Sequence, residues 1–277
     1  MTTPVPEPAA AHARSRRYLM CPPRFFDVVY RINPWMHPGV PCDRALAVQQ
    51  WGALRAVLEN LGHEVQVAEA VPGQPDMVFA ANSAVAIGDR VLTARMATAE
   101  RRGEEAPYCR WFASQGFEGV RHARFANEGE GDFVVVAGRL LAGWGFRTDV
   151  RAHAEVAAWF GMPVTSLRLV DARRYHLDLA LAALDADTIV YSPSAFDPAS
   201  RAELARQFPD ALLARHPDAC GFGMNVVSDG THVLLPASAP GLAAQLREHG
   251  YEPVPVDVSE LEKAGGSVKC CVLELHS

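Results

Sequence analysis

Apolar positions along the chain recur in two alternating periods. Asp43 is a favourable helix N-cap, and Leu46, Gln50, Leu54, Val57, Leu58 and Leu61 then return mostly at helical spacing before Gly62 stops the run. HEVQVAEAV follows as a predicted strand. DMVFA and AVAIGDRVLTA also predict strands, the second folded by its Gly-Asp turn. A helix through YCRWFASQ ends at Gly116, and DFVVVAGRLLAG reads as a hairpin about Gly138. The helix VRAHAEVAAWF ends at Gly161, with the strand PVTSLRLV behind it. YHLDLALAALDADTIVYS predicts a hairpin turning at 185–187, then come the helix PASRAELARQF and the strand ALLARH. MNVVSDGTHVLLP is a hairpin with an Asp-Gly turn. The helix GLAAQLREHG and the strands YEPVPVDV and SVKCCVLEL close the chain.

Five main helices are thus predicted, near 44–61, 104–115, 149–160, 198–208 and 239–249. Hairpin-like strands precede most of them and a strand follows each. The segments do not resemble one another in sequence, so any repeat is architectural. Five strand–strand–helix–strand units suggest an α/β fold closed as a ring around a central site; a generic α/β sheet needs no such count. No linker divides the chain, so one domain is expected over 18–277, after a Pro- and Ala-rich disordered tail over 1–17.

Composition narrows the class. About half of the 277 residues are apolar, enough for a full core. The formal net charge of −6 argues against a nucleic-acid partner, whose phosphates would call for a basic excess. No apolar run approaches the ~20 residues of a membrane helix, and the first residues lack the apolar core of a secretory signal. The cysteines at 21, 42, 109, 220, 270 and 271 form no CxxC pair, so a reducing cytoplasm is expected rather than a disulfide scaffold. There is no GxGxxG or GxxxxGK[ST], and no HExxH, so neither a nucleotide cofactor nor a metal site is expected. Nothing in the sequence excludes a homo-oligomer.

Polar clusters at strand ends remain. PDMVFAANSA holds Asp76 and Asn82; ANEGEGDF holds Glu128, Glu130 and Asp132 among glycines; GFRTD holds Arg147. In YHLDL, His176 and Asp178 would share one side of a strand. GGSVKCC brings Cys270 and Cys271. Each alone has an ordinary structural explanation: a turn, a flexible acidic loop, a surface arginine, a buried histidine, a packed strand. Together they supply what guanidine chemistry requires. A thiol nucleophile needs a proton-exchanging partner, a guanidinium needs carboxylates to accept its N–H groups, and an amino acid's carboxylate needs arginines.

The chain resembles the guanidino-group-modifying enzymes of the pentein fold, most closely the arginine dihydrolase branch. The resemblance rests on MCPPRFFDVVYRINPWM, PDMVFAANSA, ERRGEE, EGEGDF, GFRT, SLRLVDARRYHLDLAL, SPSAFD and KAGGSVKC, in the family's order from Met20 to Cys270. It implies a five-bladed propeller of ββαβ modules and no cofactor. It implies Cys270 as nucleophile, with Cys271 as a core residue, and His176 as general acid and base. Asp178 and Glu128, with Glu130 as a rival, would hold the guanidinium. Arg101 in ERRGEE and Arg147 would bind the substrate carboxylate. Asp76 and Asn82 would belong to a substrate loop, and Asn33 would contact the amino acid end. The positive charge of the bound guanidinium would favour the Cys270 thiolate.

The implied reaction is cysteine-dependent hydrolysis of a small guanidino amino acid through a covalent thiouronium, carried by a dihydrolase from arginine to ornithine, carbon dioxide and ammonia. The alternatives are a dimethylarginine dimethylaminohydrolase or arginine deiminase giving citrulline, an amidinotransferase, and a non-catalytic pentein protein, which would lack the Cys/His pair. A zinc-binding role is a poor third, the ligands being scattered. Asn82 stands where deiminases generally place an acid, and Leu179 stands where threonine is usual.

Overall fold

The computed structural model describes residues 15–215, 218 and 221–276. Strand β1 (Arg17–Met20) leads by a long loop to helix α1 (Arg44–Asn60) and strand β2 (Glu64–Val67). The hairpin of β3 (Ala84–Ile87) and β4 (Arg90–Thr93) continues into α2 (Glu105–Ser114) and β5 (Gly119–His122). Next come β6 (Phe133–Val136), β7 (Arg139–Trp144), α3 (Arg151–Phe160) and β8 (Val164–Arg168). They are followed by β9 (Leu181–Ala183), β10 (Ile189–Tyr191), α4 (Pro198–Gln207) and β11 (Leu212–Leu213). Then come β12 (Val227–Ser228), β13 (His232–Pro236), α5 (Pro240–Glu248) and β14 (Glu252–Val256), with α6 (Ser259–Glu262) and β15 (Leu273–His276) last.

The strand pairing repeats one rule. In β3–β4–β5, β6–β7–β8, β9–β10–β11 and β12–β13–β14 the first pair is antiparallel and the second parallel, with the helix as the crossover. The same rule joins β15, β1 and β2, so a strand near the end of the chain supplies the hairpin partner of β1. β15 also pairs parallel with β3, which merges two of these sets into a six-stranded sheet of order β2-β1-β15-β3-β4-β5. Among the described residues the fold is mixed α/β in four sheets.

The helices form where local chemistry and burial agree. The Asp43 side chain accepts the Leu46 N–H at 3.0 Å and caps α1. Ala47, Trp51, Leu54 and Leu58 then face a buried cluster with Tyr18, Met20, Cys271 and Val272. Asp197 caps α4 by accepting from Ser200 N at 2.8 Å. Gly161 ends α3 in the left-handed region at φ 68°.

Several expectations need correction. DMVFA is no strand: Pro75–Val78 and Ala80–Ser83 are short 3-10 turns. YHLD is no strand either, since Leu177–Leu179 form a 3-10 turn and β9 begins only at Leu181. Lys269–Cys271 likewise turn before β15. The three segments mix apolar and polar residues and are largely buried, so strand and turn look alike by periodicity alone. Their backbone groups bond locally, as in Phe79 N to Asp76 O at 3.0 Å and Val272 N to Lys269 O at 2.9 Å. Residues 1–14 of the expected tail, and Cys220, lie outside the described residues. Arg17 already opens β1, and Arg16 pairs with Glu274 at 2.6 Å, so the sheet begins one residue before the expected boundary.

Candidate active site

The segments just before the opening strands of the strand sets hold the candidate residues. Asn82 precedes β3, Glu128 precedes β6, His176 and Asp178 precede β9, and Cys270 precedes β15. The turns around Asn82, Gly129–Gly131, Leu177–Leu179 and Cys270 pack on one another. Arg101 and Arg147 follow the second strands of their sets, β4 and β7. A narrow cavity of about 10 Å³, room for one water, is lined by Asn33, Asp76, Asn82, Arg101, Arg147 and Cys270 among others.

Glycines permit the approach. Gly129 has φ 53°, and a Cβ there would meet Ala81 O at 2.6 Å. A Cβ on Gly131 would run into the Asn82 amide. The alternation in EGEGD therefore lets the Glu128 turn lie directly against the Asn82 turn.

Two groups organise the polar centre. Glu128 Oε2 lies 2.9 Å from His176 Nε2, and both Glu128 oxygens accept from Arg147 Nη1 at 3.0 Å. Burial raises the Glu128 pKa, but Arg147, His176 and Arg101 outweigh it and hold the carboxyl well below the usual range. Arg101 is clamped by both oxygens of Glu104 at 2.8 and 2.9 Å, donates to Asn82 Oδ1 at 2.8 Å and lies 3.7 Å from Glu128. Arg147 stacks on the Tyr175 ring, 4.9 Å from its centroid, and donates to Ile32 O at 2.9 Å. Asp132, 3.9 Å from His176, accepts from Thr148 and from Leu177 N, and burial lifts its pKa to about 7.

The thiol forms the second group. Cys270 Sγ is 3.3 Å from Asp178 Oδ2 and accepts from Asn225 Nδ2 at 3.2 Å. Burial and the Asp178 charge push the thiol well above its ordinary value. In the protein alone the sulfur's hydrogen-bond partners are a carboxylate and an amide. Burial also lifts Asp178 to about 7, against the pull of the thiol, Lys269 and Asn225.

The structure separates the two acidic rivals. Glu130 bonds Lys269 at 2.6 Å, His276 at 2.8 Å and Glu274 N at 2.9 Å, away from His176. Asp76 lines the cavity and accepts from Tyr30 at 2.9 Å. Asn33 lines it too, but its amide bonds Ala264 O, Tyr175, Trp35 N and Met36 N. Cys271 is buried in the core. Asp76 Oδ1, Asp178 Oδ1 and His176 Nδ1 are buried and have no partner among the described residues. Sequence reasoning missed Glu104, Tyr175 and Asn225, and gave Asp132 no role of its own. Glu104 was within reach, because it stands three residues after Arg101 in ERRGEE. Asn225 carries no local signal, being far from Cys270 in the chain.

No family model matches the chain. It is 52% identical over 269 residues to the N(G),N(G)-dimethylarginine dimethylaminohydrolase of Mycobacterium tuberculosis, covering 97% of this chain and 89% of that one. It is 34% identical over 94% of its length to the bifunctional arginine dihydrolase/ornithine cyclodeaminase of Synechocystis, of which it spans 37%. The crystal structure of the N-terminal domain of ArgZ, an arginine dihydrolase from cyanobacteria, bound to substrate, superposes with a TM-score of 0.90 at 33% identity. It covers 95% of this chain and 99% of that one. The chain belongs to the pentein guanidino-group hydrolases, the family that holds dimethylarginine dimethylaminohydrolase and the arginine dihydrolases.

Proposed function

We propose that the protein hydrolyses free L-arginine in the manner of an arginine dihydrolase, with Cys270 as nucleophile, inside one domain whose five strand sets close as a five-bladed propeller around the site. The observation that supports the chemistry is the meeting, in one buried place, of the Cys270–Asp178 pair, the His176–Glu128 pair and two clamped arginines.

The thiol of the free protein is protonated, so activation comes with the substrate. A guanidinium entering beside Cys270 brings the positive charge that the site lacks at sulfur and lowers the cost of the thiolate. Asp178 takes the thiol proton or holds a guanidinium N–H, and its pKa near 7 suits either role. Asp76 adds an acceptor oxygen. Glu128 has its oxygens engaged with Arg147 and His176, so its role is to keep His176 oriented rather than to grip the substrate.

The thiolate attacks the central guanidinium carbon. His176, held at Nε2 by Glu128, delivers a proton through Nδ1 to the departing nitrogen, which leaves as ammonia. A thiouronium remains on Cys270. His176 then takes a proton from water, the hydroxide adds, and sulfur leaves to give citrulline. A second pass on the ureido group yields ornithine, carbon dioxide and a second ammonia. Arg101 and Arg147 hold the carboxylate end, with Asn33 at the rim. The cavity is narrow, so binding parts the side chains or the 22–42 loop that closes over them.

Asn82 favours the two-step outcome. It is neutral and fixed, with Oδ1 on Arg101 and Nδ2 3.3 Å from Glu128 O. A neutral amide leaves a neutral ureido group tolerable where a carboxylate would prefer a cation. The dimethylarginine reading has its own support in the 52% identical relative. Incubation with L-arginine and, separately, asymmetric dimethylarginine, resolving ornithine, citrulline, ammonia and dimethylamine, tests the choice. Ornithine from arginine supports the proposal. Citrulline and dimethylamine from the methylated substrate, with arginine untouched, overturn it.

A further inference from the structure

We propose that Asn225 is a catalytic residue of this site, the fixed hydrogen-bond donor that holds the Cys270 sulfur and supports it whenever it bears charge. The proposal rests on the cysteine chemistry argued above and adds a residue to it.

The fold points to this position. The segments before β3, β6, β9 and β15 each bring a polar group to the site: Asn82, Glu128, His176 with Asp178, and Cys270. The remaining opening strand, β12, begins at Val227, and Asn225 lies two residues before it. The side chain is fully buried, and a buried amide must have its hydrogen bonds met.

Its orientation is set by its partners. Asn225 Oδ1 accepts the Cys270 backbone N–H at 3.1 Å, and a backbone N–H only donates. The other end of the amide is therefore Nδ2. It donates to Cys270 Sγ at 3.2 Å and to the Asp178 carbonyl at 3.3 Å. One amide thus fixes the backbone and the sulfur of the nucleophile and ties both to the segment that carries Asp178 and His176. The Asn225 carbonyl also accepts from Lys269 N at 3.4 Å.

The sulfur has two side-chain neighbours of opposite effect. Asp178 opposes negative charge on it, while Asn225 Nδ2 favours it. The donor is needed twice: when the thiolate forms before attack, and when sulfur leaves as thiolate on breakdown of the second tetrahedral intermediate. A protein interior that supplied no such donor would leave both events to the substrate's charge alone.

Asn225→Asp is the informative change, because it keeps the shape and the Oδ1 acceptor for Cys270 N and alters only the donor edge. The carboxyl it introduces donates while protonated and repels the thiolate once ionised. The charged and titratable groups around it and the sulfur are Asp178 from the turn before β9, Lys269, Cys270 and Cys271 from the turn before β15, Glu130 bonded to Lys269, and Tyr175. The full chain, wild type, N225D and Asn225→Ala, is followed by kcat/KM for L-arginine against pH. In parallel, the rate of iodoacetamide labelling at Cys270 is read by peptide mass mapping.

The expected result is a loss of about tenfold or more in kcat/KM for Asn225→Ala, with Cys270 labelling displaced to higher pH. N225D is expected to lose further activity relative to wild type as pH rises. Labelling is read on folded protein, with near-UV circular dichroism of each variant as the control. Wild-type kcat/KM in Asn225→Ala, or labelling profiles that coincide in all three proteins, overturn the assignment. If wild type itself turns over no guanidino compound, the labelling comparison still decides whether Asn225 tunes the sulfur, so the two failures are distinguishable.

Discussion

His176 Nε2 lies 2.9 Å from Glu128 Oε2, and that same carboxylate accepts from Arg147 Nη1 at 3.0 Å. A carboxylate so engaged stays ionised, fixes the ring and leaves Nδ1 free to move protons. Replacing Glu128 by Gln removes the charge but keeps the shape. We expect kcat for L-arginine to fall by about a hundredfold or more, with a smaller change in KM, as read by steady-state ammonia release. The same change at Glu130 removes a bond to Lys269 and is expected to lower thermal stability more than kcat.

The pair of Arg101 and Glu104 sets the second expectation. Both Glu104 oxygens hold the guanidinium, whose other nitrogen reaches Asn82. Arg101→Lys keeps the charge and loses the fork. KM for L-arginine is expected to rise by about tenfold or more, with kcat affected less. A change confined to kcat would place Arg101 away from ground-state binding.

Asn82 tests the number of hydrolytic steps. Asn82→Asp puts a carboxylate beside Arg101, where the neutral amide oxygen now accepts at 2.8 Å. The products from L-arginine are expected to shift from ornithine toward citrulline. An unchanged ornithine-to-citrulline ratio would count against the role given to the neutral amide.

The cluster behind the site gives a pH signature of stability. Burial alone would lower the His276 pKa, but Glu274 and Glu130 raise it from 6.5 to about 10. A raised folded-state value means that the stabilisation is complete below the unfolded value near 6.5 and is lost as pH rises through about 10. The difference in Tm between wild type and His276→Gln is therefore expected to be on the order of 5 °C at pH 6 and to shrink steadily toward pH 10. A difference independent of pH would mean that packing, not charge, accounts for it.

How much of this was legible in the chain follows from which forces act locally. The helices announce themselves through spacing, caps and stops, as Asp43 and Gly161 do. The pairing of β1 with β15 has no local trace, because it joins opposite ends of the sequence. The turns at Asp76, Asp178 and Cys270 were misread as strands because each mixes apolar and polar residues in a largely buried segment. Cys270, His176, Asp178 and Glu128 were singled out through family motifs, yet the partition of the two glutamates depends on tertiary contacts: Glu128 meets His176, and Glu130 meets Lys269 and His276. The protonated state of the thiol also escaped the sequence, since it depends on burial beside Asp178.

Covalent capture tests the central claim most directly. Wild-type protein is mixed with L-arginine, quenched in acid within a turnover and mapped by peptide mass, beside Cys270→Ser. The account predicts an adduct on Cys270 with the mass of arginine less ammonia, absent from the variant. Turnover of arginine by Cys270→Ser, or an adduct on a different cysteine, would contradict it.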